Sequence, residues 1–290
     1  MSVRILAIGE ILWDLLPSGK QLGGAPANFA YHAHALGATA RVVSRVGDDP
    51  LGREILDRLR ALGLPAGSVG VDPGAPSGTV SVEIAADGQP HFTIHEDVAW
   101  DRILVDDDAL AFAAQADAVC FGSLAQRSAI SRDSIHRLVA ATPASAWRVF
   151  DVNLRQHFYS REIIESSLVL ANALKLNDAE LPVLASMFGL GGDVRGQLAG
   201  LAQCFQLRAV ALTRGAAGSL LLADGAWSQH PGIGVKVVDA VGAGDAFTAA
   251  WTLGLLAGQP LDEINQRANK LAAMVCTHPG AMPIYRKEEL

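Results

Sequence analysis

Cysteine is scarce in this chain. Cys120, Cys204 and Cys276 lie too far apart for a CxxC metal or redox motif. An odd, sparse count suits a reducing compartment, so a cytoplasmic setting is expected, with each thiol a small buried hydrophobe. Clustered Lys and Arg are also lacking. The net charge is -7, from 30 acidic and 23 basic residues, and no long basic run occurs. A phosphate backbone needs clustered cations, so nucleic acid and anionic membrane are excluded as partners. No run approaches 18 uncharged apolar residues, so no membrane span is expected. The opening "MSVRILAIGE" has one Arg and a short apolar run that stops at Gly9-Glu10, which reads as a first strand and not a signal peptide.

Apolar residues are abundant, at 50% of 290 positions. That supports one large core near the size where single cores stop growing, so one domain with an appendage is expected. The rhythm is a short apolar run, a small-residue turn, then a helical pattern. Strands are expected at 3–9, 40–47, 117–122, 147–153 and 208–215. Helices are expected at 25–37, 50–63, 131–143 (starting on a capping Ser131), 243–257 and 262–276. "GLGGDVRG" at 189–196 reads as an exposed loop. This alternation predicts an α/β fold, a central mostly parallel sheet with helices on both faces.

Two stretches break the rhythm. Residues 76–98 alternate like strands on both sides of Asp87-Gly88, a strong hairpin signal. A hairpin inserted in an α/β chain is a candidate lid or dimerisation arm, or plain surface decoration. A second hairpin-like pair comes later, "SLLLADG" (219–225) and then "AWSQHPG". His91 and His95 have metal-like i,i+4 spacing. On a strand they stand roughly 13 Å apart, too far for one ion.

The chemistry concentrates in "VVDAVGAGDAF", 237–247. "VKVVDA" reads as a strand end and "GDAFTAAWTLGLLAG" as a helix with Phe247, Trp251 and Leu255 on an apolar face. Gly242, Ala243 and Gly244 then lie at a helix N-terminus, where unpaired N–H groups favour an anion. Asp245 in the first turn can take a proton from an attacking hydroxyl while the amides stabilise charged oxygens. An Asp that merely favours the helix dipole gives the same letters. No Lys-Ser/Thr follows the glycines, so this is not a Walker A loop, and no GxGxxG is present.

"DAVGAGD" (239–245) resembles the C-terminal signature of the ribokinase-like sugar kinases, the PfkB carbohydrate kinase family. "GGAPANFA" (23–30) resembles that family's N-terminal signature, a Gly-Gly followed by Ala-x-Asn-x-Ala. Weaker likenesses are "GEILWD" (9–14), "DVNLR" (151–155), "KLNDAE" (175–180) and "TRGAAG" (213–218), so the likeness spans nearly the whole chain. The resemblance implies a ribokinase-like fold: a single α/β domain over 1–290 with a small β lid from about 12–22 and 76–98. It implies Asp245 as catalytic base and Gly242, Ala243 and Gly244 as anion hole. Asp14, at the end of the first strand, would grip sugar hydroxyls, with Gly23, Gly24 and Asn28 completing the cradle. On spacing alone Asn28 reads equally as a helix-surface residue. Asp151, Asn153 and Arg155 would sit at a strand end in the cleft, Arg155 meeting phosphates or an acidic group of the substrate.

On the nucleotide side, the resemblance implies Asn177, Thr213, Gly215 and Gly218 against ATP, and Glu180 toward Mg²⁺ through water. A capping box would put the same letters at Asn177 and Glu180. A monovalent cation, K⁺, would lie by Asp239 and backbone carbonyls of 276–280. Ala240 stands where the family pattern has Thr, which removes a hydroxyl beside that loop. "GEILWDLLPSG", "SRVGDDPLGREI" and "AWD" lean toward fructokinases, with His95, Glu96 and Trp100 near the sugar, or Trp100 as lid anchor. The alternatives are a 2-keto-3-deoxygluconate kinase, a ribokinase, a nucleoside kinase, or a non-catalytic sugar-binding protein. The acid-rich "HFTIHED" (91–97) disfavours an anionic acceptor. A homodimer through the lid edge is expected.

Overall fold

The computed structural model describes residues 2–16, 19–84 and 90–286. Strand β1 (Arg4–Ile8) is followed by β2 (Leu12–Leu16) and β3 (Gly19–Gly23), then α1 (Ala25–Ala35), β4 (Thr39–Gly47), α2 (Pro50–Ala61) and β5 (Val69–Asp72). Strands β6 (Gly78–Ile84) and β7 (Pro90–Ile94) precede α3 (Asp107–Ala113) and β8 (Ala118–Gly122). Next come α4 (Ala129–Ala141), β9 (Trp147–Asp151), α5 (Arg161–Leu170), β10 (Ala173–Asn177), α6 (Glu180–Phe188), α7 (Val194–Phe205) and β11 (Ala209–Thr213). The hairpin β12 (Ser219–Ala223) and β13 (Ala226–His230) leads to α8 (Ala243–Leu256) and α9 (Leu261–Cys276).

The large sheet runs β13-β12-β11-β10-β9-β8-β1-β4-β5, parallel from β11 to β5 and antiparallel at β12 and β13. Its central strands are mostly apolar and buried, as in β1 and β8, because both faces are covered. Side-chain alternation splits them between two cores. Leu6 and Ile8 pack on one side with Phe121, Phe150 and Leu174. Ile5 and Ala7 pack on the other with Phe29, Phe247 and Trp251 of α1 and α8. Helix α2 starts where expected: Asp49 accepts the Gly52 N–H at 2.7 Å and Pro50 fills the first helical position.

Strand β1 lies between β4 and β8, which the chain reaches by running outward in opposite directions. That is a topological switch point, and the crevice beyond the carboxyl ends of its strands is where open α/β sheets bind ligands. A separate sheet, β3-β2-β6-β7, stands at this end. Its β6–β7 pairing confirms the antiparallel hairpin, Val80 opposite Ile94. The Asp87-Gly88 turn lies outside the described residues.

Several expectations change. Residues 235–240 form no strand; Val237 and Val238 are exposed. Helix α4 begins at Ala129, and Ser131 lies inside it. Its hydroxyl donates to Trp100 O at 2.8 Å and accepts from Ile103 N at 2.9 Å, tying two segments together. The 189–196 loop is shortened by α7, whose first turn is capped by Asp193 accepting from Gly196 N. Cys120 is buried, as expected, but Cys204 is exposed. Among the described residues no helix is long and apolar enough to cross a membrane.

Candidate active site

The first turn of α8 forms the floor of the crevice. Gly242 precedes it with φ +79, a left-handed conformation, and a Cβ there would lie 2.5 Å from the Ala281 methyl. Both constraints require glycine. Ala243 N–H leans on Ala240 O at 3.4 Å; among the described residues the N–H groups of Gly244 and Asp245 have no backbone acceptor outside the helix. Asp245 is half-buried, and Asn28 Nδ2 donates to its Oδ2 at 2.7 Å. Burial and the neighbouring Asp151 raise its pKa to about 7, against the opposing pull of Lys175, Asn28 and Arg155. A carboxyl poised there suits a general base.

Asn28 is buried, not a helix-surface residue, because α1 runs beneath the crevice. Its Oδ1 is buried without a partner. Gly24 approaches the backbone so closely that a Cβ would lie 2.4 Å from Glu10 O. A Cβ on Gly23 would lie 2.5 Å from Asp14 Oδ2. Asp14 sits on β2 of the small sheet, not at the end of the first strand, because the chain turns out of the large sheet at Gly9 and Glu10. Burial raises the pKa of Asp14 to about 6, opposed by Arg155 and reinforced by Asp239.

Asn153 follows β9 in a left-handed conformation, φ 42, and Arg155 beyond it is exposed. The Arg155 charge acts on Glu10, Asp14 and Asp245 together, so these groups share one crevice. Asp151 is buried beneath it. Its Oδ1 receives Lys175 Nζ at 3.0 Å and its Oδ2 the Thr248 hydroxyl at 3.2 Å.

Four residues escaped the reading of the sequence as site groups. Lys175 lies next to Gly244: a Cβ there would be 3.2 Å from Nζ. Thr248, one turn beyond Gly244, bonds both Gly244 O and Asp151. Glu10 is 2% exposed, accepts from Ala25 N at 3.3 Å and keeps Oε2 unpartnered; burial raises its pKa to about 7. Gln156 donates to Phe92 O at 2.5 Å, joining the β9 loop to the small sheet. Glu10 in "GEILWD" and Lys175 in "KLNDAE" carry a charge in apolar company, which is the available signal. Thr248 and Gln156 carried none.

Trp100 does not line the crevice. It is fully buried, packed against Gly78 and under the Arg127 guanidinium, so it anchors the base of the small sheet. His95 is exposed and its Nε2 pairs with the Ser81 hydroxyl at 2.7 Å; Glu96 is exposed. Arg127 holds Asp101 at 2.8 Å and His95 O at 2.7 Å.

On the far side, Asn177 Oδ1 accepts from Ala179 N and Glu180 N, each at 2.9 Å. Glu180 Oε2 accepts from Asn177 N at 2.8 Å and Oε1 from Leu154 N at 2.9 Å. This is the reciprocal capping pattern. Glu180 is buried, and each of its oxygens accepts one backbone N–H, which fixes the carboxylate behind the crevice. Thr213 is half-buried at the end of β11, and Gly215 faces open space. Gly218 is buried. A Cβ on it would lie 2.1 Å from His230 O, so it serves close packing of the hairpin and not ligand contact.

Asp239 clamps two segments: Oδ1 accepts from Val241 N and Oδ2 from Gly280 N, both at 3.0 Å. Cys276 O already accepts from Val238 N and Asp239 N, which withdraws it from the expected cation-binding carbonyls. Among the described residues no cluster of three acidic, His or Cys side chains could hold a metal.

The model of the pfkB family of carbohydrate kinases matches residues 18–287. A fructokinase of Klebsiella pneumoniae is 32% identical, covering 97% of this chain and 96% of its own. A sugar kinase of Pyrococcus horikoshii, solved in complex with ATP, superposes with a TM-score of 0.84 at 28% identity, covering 99% of this chain and 96% of its own. A double mutant of the Vibrio cholerae O395 fructokinase, bound to fructose, ADP and potassium, superposes with a TM-score of 0.81 at 25% identity. It covers 97% of this chain and 94% of its own.

Proposed function

This chain belongs to the pfkB family of carbohydrate kinases, and from that premise we propose that it phosphorylates D-fructose at its 6-hydroxyl with ATP. The observation that carries the reading is Asp245: a carboxylate with a pKa of about 7, held by Asn28 beside the free amides of the α8 N-terminus. Asp245 takes the proton of the acceptor hydroxyl as that oxygen bonds to the γ-phosphorus. The bond from phosphorus to the bridging oxygen breaks and ADP leaves. The amides of Gly242–Gly244 and the charge of Lys175 beneath them offset negative charge on the transferred group. Mg²⁺ would neutralise the phosphates while keeping most of its water, which agrees with the absence of a ready carboxylate cage among the described residues. A potassium ion, as in the Vibrio enzyme, would draw on lone pairs left free on Asp239.

The kinship with fructokinases supports fructose as acceptor. So does charge. The Arg155 charge already acts on Glu10, Asp14 and Asp245, and the small sheet ends in exposed Glu96 and Asp97. In this reading Asp14, Gly23, Gly24, Asn28 and Asn153 hold the sugar, and Asn177, Thr213 and Gly215 face the nucleotide. The small sheet closes as a lid that keeps water from competing for the phosphoryl group. It leaves Leu15 and Phe92 exposed, so a lid-to-lid homodimer belongs to the same reading, and light scattering reads it.

The test is ADP release with Mg-ATP and K⁺ across fructose, 2-keto-3-deoxygluconate, ribose, tagatose, glucose, adenosine and inosine. Turnover on fructose that falls by about 10²–10⁴-fold in Asp245→Asn supports the proposal. Preference for 2-keto-3-deoxygluconate overturns it and makes Arg155 the carboxylate partner.

A further inference from the structure

Helix α1 presents Asn28 and His32 four residues apart, hence on one face. Asn28 holds Asp245. His32 holds something else. It is 0% exposed, and its Nε2 lies 2.9 Å from Ala281 O. A carbonyl only accepts, so Nε2 carries the proton. Nδ1 is then the acceptor for the Tyr285 hydroxyl at 2.9 Å, and the two rings stack. Tyr31, next on the helix, donates to Pro283 O at 2.7 Å. Three hydrogen bonds from two consecutive helix residues therefore tie down 281–285.

That segment touches the anion-hole loop directly. The Ala281 methyl occupies the space a Gly242 side chain would need, 2.5 Å from its Cβ position. One residue earlier, Gly280 N donates to Asp239 Oδ2, and Asp239 Oδ1 accepts from Val241 N. Residues 239–242 are exposed or half-exposed, with little core beneath them. Their position depends on this strap.

We infer that His32 is a positioning residue for phosphoryl transfer, fixing the Gly242–Gly244 amides through Ala281 while Asn28, one turn away, fixes Asp245. A single helix face thus sets the distance between base and anion hole. The tolerance for such groups is small, since a misplacement of about 1 Å can cost roughly 10²-fold in rate. His32 touches neither reactant. Burial pushes its pKa down to about 4, so it stays neutral and its donor and acceptor roles stay fixed through the working pH range. The inference rests on the kinase reading for its rate prediction only.

The test compares His32→Leu, His32→Gln and Tyr285→Phe in the full chain. Two readouts are taken: steady-state kinetics on the best acceptor, and amide hydrogen exchange of peptides covering 239–245 and α9. In His32→Leu, kcat should fall roughly 10–100-fold with both KM values unchanged, and exchange should rise at 239–245 but not in α9. His32→Gln keeps an N–H donor for Ala281 O and should recover most of kcat. Tyr285→Phe should lie between. Wild-type kcat per folded molecule with only a lower Tm overturns the inference, as does unchanged exchange at 239–245. Should His32→Leu fail to fold, His32→Gln and Tyr285→Phe decide on the same readouts. If no acceptor is turned over by the unmodified chain, the kinase reading fails, while the exchange data still decide the role of His32.

Discussion

Asn28 donates to Asp245 at 2.7 Å across 217 positions of sequence, joining the first turn of α1 to the first turn of α8. The bond stabilises the ionised carboxylate, and burial opposes it. The balance leaves Asp245 near pH 7, where a base is both available and strong enough to accept a proton.

A pH profile tests this. In kcat/KM the acid limb should turn near pH 7, with activity lost below it as Asp245 takes up a proton. Asn28→Ala deletes a contact that favours the charged form, so the limb should move to higher pH. A limb left near 4 would show that Asp245 is solvated like an ordinary carboxylate.

Lys175 and Asp151 form a buried ion pair at 3.0 Å under the same helix end. Lys175→Met leaves Asp151 charged and unpaired, and should cost about 3–5 kcal/mol in chemical denaturation. Lys175 also lowers the pKa of Asp245, so the acid limb of the surviving enzyme should shift upward. Loss of stability without a shifted limb would make the pair purely structural.

The large sheet was readable because its strands are largely apolar runs between turn residues, as at "ILAI" of β1 and "AVCFG" of β8. The base and its glycines were readable because a helix N-terminus needs them in sequence. Residues that act through distant contacts were less so. Lys175 reads locally as one charge in a strand, and its meaning comes from Asp151, opposite it on the paired strand β9 but 24 positions earlier in the chain. Trp100 reads equally as sugar contact or lid anchor because aromatic rings serve both tasks; what decides for the anchor is burial against the Gly78 backbone and Arg127. Residues 235–240 look strand-like from "VKVV", yet among the described residues no strand edge pairs with them, and Asp239 and Cys276 hold them as a loop.

Trp100 and Asp14 should therefore separate cleanly. Trp100→Ala empties a fully buried site and should cost about 3–5 kcal/mol of stability. At temperatures where the variant stays folded, its acceptor KM should change less than that of Asp14→Ala. Asp14→Ala removes a half-buried charge and should raise the acceptor KM with little loss of stability. The reverse pattern in a paired kinetic and unfolding experiment would return Trp100 to the sugar site.

Asp245 also sets a cost that the fold bears for function. Its pKa is raised in the folded chain, from 3.8 to about 7. Between those values the native state holds a proton that the unfolded state has released. Stability from this group is therefore full below about pH 4 and declines as pH rises toward 7. Asp245→Asn keeps the shape and removes the titration. Its Tm should exceed that of the unmodified chain at pH 8, and the gain should shrink as pH falls and vanish below about 4. Calorimetry at pH 8, 6 and 4 measures it. A gain that stays constant with pH would mean that charge burial is not the source, and a loss at pH 8 would mean that the carboxylate stabilises the helix end more than burial penalises it.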